Sequence, residues 1–532
     1  MKKLFSLEQA VNLIKDNDTV NIMASGGGYM EADYVYRGIE KKFLDTGSPS
    51  KLTLMHVTGV GSGDESGAGR FAHKGLVKRV VGGHWFWSKK MGQLAINEEI
   101  EAYNLPQGVL TLLLREIAAG RPGLITTVGL NTFIDPSIDG GRFNKTASEH
   151  LVERVNFNGR DMLFYKAFPI NVSIIRGSTA DEDGNISVEL EGVDLAILES
   201  AQAAFNSGGI VIAQVKRLAK RGTLNPRLVK VPGFMVTAVV VDPEQKQTSA
   251  EEYNVSVCGL QKIPMNSVLP LEFGLRKIVA RRAALELREN AVVNLGIGIS
   301  DGVANIAAEE DIIKDFSFSI EMGITGGIPT KGVLFGAAWN PECIYSMPSQ
   351  FDFYHGGGLE ISCLGMGELD QYGNVNVSRM GNRIPGSGGF IDISQNAKAV
   401  VFCGPFTNKG LTIDIQGGKL KILKEGIQKK LVKNVEQITF SGQYACEKGQ
   451  KVMYVTERAC FRLEDGKVIL SEIAPGIDLQ KDILDQMEFE PVIDKHLKIM
   501  DQAIFKPEKM TVTNPAIFRH FTNRSSTLKL VS

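Results

Sequence analysis

Cysteine is scarce and unpatterned. The six thiols, Cys258, Cys343, Cys363, Cys403, Cys446 and Cys460, form no C-x-x-C pair and no Cys/His spacing suited to zinc. That argues against a structural zinc motif and leaves buried, reduced thiols as the expectation. Long hydrophobic runs are missing too: none reaches membrane-spanning length. The opening Met-Lys-Lys-Leu-Phe-Ser-Leu-Glu-Gln-Ala has no apolar core of the signal-peptide kind, so a soluble, cytoplasmic chain is expected. Net charge is almost absent at −1, which gives no global attraction to nucleic acid or to an anionic membrane. What abounds is glycine, 57 of 532 residues, the residue of tight turns and of close backbone approach to a ligand. With 43% hydrophobic and 22% charged residues the chain is globular, and it is too long for one core. At least two domains are expected.

One stretch organises the rest. Phe316, Phe318 and Ile320 alternate with Ser317, Ser319 and Glu321, which predicts a strand with the glutamate at its carboxyl end. Gly323, Gly326 and Gly327 follow, and Pro329 stops any helix. A carboxylate at that edge of an open α/β sheet, beside residues without side chains, can meet a ligand. Taken alone, it reads more readily as an ordinary solvated loop acid.

The chain repeats itself. Ser6 to Asp16 predicts a capped helix, Asp18 to Met23 a strand, Ala24-Ser25-Gly26-Gly27-Gly28 a turn, and about Glu31 to Lys42 a helix. The same unit returns as a helix over Arg281 to Asn290, a strand over Ala291 to Leu295, and Gly296-Ile297-Gly298 before a helix through Ala304 and Ala307. A shift of 273 positions lays Asn17 on Asn290 and Asn21 on Asn294. Asp181 to Val188 and Asp370 to Val377 both read D-x-x-G-N-[IV]-x-V, a turn leading into a strand. The offset there is 189, so the first half carries about 84 more residues between its two marks. Two related α/β halves are expected, joined near Pro264 to Glu272, as domains 1–268 and 269–532. Further glycine-rich loops at Gly82-Gly83-His84-Trp85, Asn104 to Gly108, Gly123 to Gly129, Gly356-Gly357-Gly358 and Gly386 to Phe390 expose backbone N–H groups and suggest one assembled cleft. Val435, Ile438, Phe440, Val452, Tyr454, Phe461 and Leu463 suggest closing strands, Leu479 to Gln486 a helix, and Lys495 to Ser532 a surface helix and extension.

In order along the chain, Gly26-Gly27-Gly28, Asn104-Leu105-Pro106-Gln107-Gly108, Glu321-x-Gly323, Gly356-Gly357-Gly358-Leu359, Gly386-x-Gly388-Gly389-Phe390 and Glu472-Ile473-Ala474-Pro475-Gly476 resemble the family I CoA-transferases, in particular their acetate/propionate branch. The succinyl-CoA branch has Ser-Glu-Asn-Gly at the corresponding turn; here Ile320 separates Ser319 from Glu321, and Met322 stands for the Asn. His355 and Glu360 flank the glycine triplet where that branch carries acids.

The resemblance implies two duplicated open α/β domains facing a shared cleft. It implies Glu321 as the nucleophile of a ping-pong exchange of CoA between short-chain acids, by way of a glutamyl–CoA thioester. Amides of Gly388 and Gly389 would serve the oxyanion, and Gln107 the substrate carboxylate. His84 is expected to make a structural hydrogen bond. No cofactor or metal is expected, CoA thioester being a substrate. The partners would be acyl-CoA and short-chain acids, without nucleic acid or membrane, in a homo-oligomer with a tetramer favoured. Two other readings compete: a thioester hydrolase on the same scaffold, and a non-catalytic acyl-CoA sensor, which would need an output module that the sequence does not display.

Overall fold

The computed structural model describes residues 2–264 and 270–510. The predicted junction at 268/269 lies outside the described residues.

Seven parallel strands make up most of the nine-stranded sheet of the first half: β1 (Thr19–Ile22), β2 (Leu52–His56), β3 (Val77–Gly82), β4 (Glu101–Asn104), β5 (Val172–Asp181), β6 (Ile210–Ala219) and β7 (Ala238–Val241). Their spatial order is β7-β6-β5-β1-β2-β3-β4. The second half repeats the scheme with β8 (Val292–Leu295), β9 (Ser317–Ile320), β10 (Ile361–Gly365), β11 (Ala399–Cys403) and β12 (Lys451–Val455), parallel in the order β12-β11-β10-β8-β9. In each half the first two strands lie side by side and the last three parallel strands return on the other flank of the first, with β3 and β4 continuing the β2 side in the first half alone. Strand order therefore reverses beside β1 and again beside β8, and such a reversal leaves a crevice at the carboxyl ends. The second sheet is extended by β13 (Ala459–Glu464) and β14 (Lys467–Ile473), both antiparallel, and by β15 (Val492–Ile499), parallel to β14.

Strand interiors are apolar on both faces, as sheets covered on both sides require; β2 and β5 are buried from end to end. The covering helices include α1 (Leu7–Val11), α2 (Asp33–Thr46), α3 (Gln107–Ala118), α4 (Leu275–Ala284), α5 (Gly302–Glu309), α6 (Met347–His355) and α7 (Phe390–Asn396). Ser6 and Gln9 close a capping box on α1, which ends five residues short of the predicted Asp16. Gly47, in the left-handed region at φ +76°, ends α2.

The repeat extends to atoms. Asp181 Oδ1 accepts from the amides of Asp183 and Asn185, both at 3.0 Å, and Asp370 Oδ1 accepts from Tyr372 and Asn374 at 2.9 and 3.0 Å. Asn185 and Asn374 each return a side-chain N–H to the other oxygen at 2.9 Å, and each accepts an amide from a later glycine, Gly233 or Gly442. Gly184 and Gly373 supply the positive φ, +86° and +79°. The excess length of the first half is spent on β3, β4, α3 and a three-stranded antiparallel sheet over residues 123–166.

Four expectations are corrected. The helix predicted over Arg281 to Asn290 lies earlier in the chain, as α4 from Leu275 to Ala284. The alternation at Val435 to Phe440 forms no ladder beyond a single bridge from Phe440 to Val375. Leu479–Ile483 and Leu484–Gln486 are single π and 3₁₀ turns instead of one α-helix. Within the expected surface helix, residues up to Ile499 belong to edge strand β15; residues 511–532 lie outside the described set.

Candidate active site

A cavity of about 210 Å³ opens where both reversals meet, with Gly26 from the end of β1, Gly296 from β8 and Gly365 from β10 in its wall. Glu321, the first residue past β9, reaches into it and is only 7% exposed. The glycine after Met322 has a steric cause. Gly323 sits at φ +96°, and a Cβ there would lie 2.0 Å from the Tyr345 carbonyl oxygen. No other residue fits, so the chain turns away at once and leaves the carboxylate at the strand end.

Behind the carboxylate is a polar network that pattern reading did not single out. Asn294 Nδ2 donates to the Ser319 carbonyl at 3.0 Å and to Tyr354 Oη at 3.3 Å, and lies 3.5 Å from Glu321 Oε2. Ser319 Oγ and Tyr354 Oη share a hydrogen at 2.9 Å. The sequence marked Asn294 only as a repeat position. Burial raises the Glu321 pKa, opposed by hydrogen bonds from its own backbone and from Asn294. Burial and then the charge of Glu321 raise the phenol of Tyr354 well above its ordinary value, so it stays a neutral donor.

The opposite wall is a seam of loops from both halves. Trp85 N–H donates to the Pro385 carbonyl at 2.6 Å, Gly388 N–H to that of Gly83 at 2.8 Å, and Gln107 N–H to that of Gly388 at 2.9 Å. Asn104, fully buried at the end of β4, ties three strands of this seam. Its Nδ2 donates to the Gly82 and Gly83 carbonyls, both at 2.7 Å, and its Oδ1 accepts the Ser387 amide at 2.8 Å. Asp392 accepts the Gly108 amide at 3.0 Å with one oxygen and holds His355 Nε2 at 2.8 Å with the other. His355 thus braces the seam, whereas Glu360 pairs with Lys398 on the surface. The Gly356-Gly357-Gly358 triplet precedes β10, at the amino end of the strand and away from the cleft.

Of the residues singled out from sequence, Glu321, Gly388, Gly389, Gln107 and His84 all line the one cavity. The two amides differ. That of Gly388 is engaged by Gly83, while that of Gly389 has no partner among the described residues. A Cβ on Gly389 would lie 3.7 Å from Glu321 Cγ, so this glycine borders the Glu321 side chain. Gln107 opens α3 and is buried; among the described residues its amide nitrogen faces only two thioethers, Met322 Sδ and Met347 Sδ, at 3.7 Å each. These weak acceptors leave it free for a stronger one. His84 makes no hydrogen bond among the described residues, contrary to expectation; burial and then the neighbouring His56 push its pKa down to about 4, so the ring is neutral. Among the described residues, no cluster of three or more His, Cys, Asp or Glu could hold a metal ion, and no helix is long and apolar enough to cross a membrane.

Comparison with known proteins agrees with this geometry. The model of the coenzyme A transferase family matches residues 5–242. Acetate CoA-transferase YdiF of Escherichia coli K12 is 44% identical over 503 residues, 94% of this chain and 95% of its own. Caffeate CoA-transferase of Acetobacterium woodii is 45% identical over 514 residues, 95% and 98% of the two chains. The crystal structure of the E. coli O157:H7 acyl-CoA transferase YdiF, a thioester complex with CoA, superposes with a TM-score of 0.91 at 42% identity, covering 96% of this chain and 97% of that one. The chain belongs to the family I CoA-transferases. It is a CoA-transferase enzyme of α/β fold whose substrates include a CoA thioester.

Proposed function

We propose that the enzyme moves CoA between short-chain carboxylic acids, acetate and propionate among them, by a ping-pong reaction through a thioester on Glu321. The observation that carries this is a buried carboxylate at the crevice, bordered by a glycine whose amide has no partner among the described residues. The Glu321 carboxylate attacks the thioester carbonyl of acyl-CoA, and the oxyanion so formed accepts the Gly389 N–H. Collapse breaks the C–S bond, expelling CoA thiolate and leaving an acyl–glutamyl anhydride. The thiolate then attacks the glutamyl carbonyl; the bond from that carbonyl carbon to the bridging oxygen breaks, and the acyl group departs from Gln107 as a free carboxylate. A second acid runs both steps in reverse. One oxyanion donor is worth about 3 kcal/mol of barrier. Gly388 positions this donor, because its own amide and carbonyl are fixed to Gly83 and Gln107. Burial makes the carboxylate a stronger base and keeps water from the anhydride.

The matched strand orders support reading residues 1–268 and 269–532 as two domains, the first supplying the Gln107 wall and the second the nucleophile. The family likeness supports a cytoplasmic homo-oligomer, with a tetramer favoured; light scattering tests it.

Trapping tests the mechanism. Incubation with acyl-CoA and no acceptor should raise the protein mass by one CoA less water. Borohydride should then inactivate it, and acetate or propionate added first should protect. Glu321→Ala should show neither effect. CoA mapped to one of the six cysteines would overturn the assignment, and steady release of free CoA without an acceptor would favour the hydrolase.

A further inference from the structure

Part of the cavity wall is built by residues that the proposed chemistry does not use. Trp87 lies against two glycines of the first half. A Cβ on Gly26 would come 3.3 Å from its Cζ2, and one on Gly59 would come 2.3 Å from its Cδ1 and 2.9 Å from His84 Nδ1. Both ring systems thus occupy space that any side chain at Gly59 would take. Immediately behind them is a second void, of about 10 Å³, lined by His56, Val60, Ala68 and Met91 and again by His84 and Trp87. The two cavities share these rings as a partition. Nothing on it carries charge at neutral pH, since burial pushes His56, like His84, down to about 4. On the cleft side, Met322, Phe335 and Ile297 continue an apolar lining.

We propose that Trp87, backed by His84, is the stop that limits how long an acyl group the cleft accepts, so that specificity for short acids is set by the first half and chemistry by the second. This rests on the proposed CoA transfer to carboxylates. With the carboxylate end of the acid fixed at Gln107 and Glu321, the tail points into the remaining volume, and the indole ends it. Removing the indole joins the cleft to the void behind it. Truncating a buried Leu to Ala elsewhere opens roughly 150 Å³, enough for a benzene ring, and an indole is larger than an isobutyl group.

The test uses the full-length enzyme with acetyl-CoA as donor and measures kcat/KM for acetate, butyrate, hexanoate and phenylacetate as acceptors. One methylene in or out of a pocket changes discrimination by roughly tenfold or more. The hexanoate-to-acetate ratio should therefore rise at least about tenfold in Trp87→Ala, and by a smaller factor in Trp87→Phe. Because a ratio is read, a general loss of activity does not mimic the effect, and Trp87→Phe decides if Trp87→Ala fails to fold. A ratio that stays within threefold of the starting enzyme in the folded variants, or falls, overturns the proposal. A wild-type enzyme that passes CoA to no carboxylate would instead overturn the reading on which it rests.

Discussion

Replacing Asn104 tests whether the seam between the halves positions the donor beside Glu321. In Asn104→Ala three buried hydrogen bonds of 2.7, 2.7 and 2.8 Å disappear. Their partners are not equally stranded. The Gly82 carbonyl keeps the Leu105 amide and the Trp85 indole, both at 3.3 Å, and that of Gly83 keeps the Gly388 amide at 2.8 Å. Losing the extra bond to each costs about 0.5–1 kcal/mol. Only the Ser387 amide is orphaned, at about 1–3 kcal/mol. The sum, about 3 kcal/mol, should lower the urea midpoint visibly. Freed at Ser387, the turn carrying Gly388 and Gly389 can drift, and about 1 Å of misplacement costs roughly 100-fold in rate. Asn104→Asp keeps the acceptor for Ser387 but sets a carboxylate oxygen against two carbonyls, so it should be no more stable than the alanine variant. Urea unfolding read with CoA-exchange kinetics decides. An Asn104→Ala enzyme within about 0.5 kcal/mol in stability and threefold in kcat/KM would refute the reasoning.

Glu321→Asp should lose about 100-fold or more in exchange rate, since one methylene less withdraws the carboxylate by over ~1 Å from a fixed donor; near-normal rates would remove Glu321 from the mechanism. Attack requires the ionised form, and burial raises the Glu321 pKa. The acid limb of kcat/KM should therefore lie above the usual carboxylate range near 4.3, and Asn294→Ala, which removes a hydrogen bond that lowers this pKa, should move it further up. The same burial predicts a stability effect of definite sign. A carboxyl that holds its proton more tightly when folded loses stability as pH rises from the ordinary value through the raised one. Glu321→Gln should thus match the wild type at low pH and exceed it in urea midpoint at neutral pH; a variant equally or less stable there would contradict it.

How far the sequence carried depended on which force decided each element. Strand–glycine–helix units were legible because apolar period and turn chemistry are local, and Glu321 was legible because a strand end is a local event. The alternation Phe316 to Glu321 sets Ser319 and Glu321 on the polar face, yet Ser319 is 1% exposed and Glu321 7%, with Asn294 and Tyr354 of the same half bonded to Ser319. In α4, Arg281 and Arg282 are charged residues that interrupt the apolar period. Both are buried, Arg281 on Glu309 at 3.0 Å and Arg282 in a two-pronged bond to Glu472 at 2.8 Å per prong, so the polar pattern misplaced the helix. Glycine content could not say which end of a strand a loop serves, hence the triplet before β10 outside the cleft. Trp87, Phe335 and Asn104 acquire their roles only when distant loops meet, and no spacing rule encodes that.

The matched strand pairs have a stoichiometric consequence. In the first half Asn21 pairs with Met55, and in the second Asn294 pairs with Ser319. Two residues further on, the seat held by Glu321 in one half is held in the other by Val57, fully buried. Two copies of the scaffold therefore present one carboxylate between them. On the proposed chemistry each polypeptide saturates at a single CoA, and an assembly that stops at half that loading would be reporting communication between separate chains, because within one chain there is no second seat to fill.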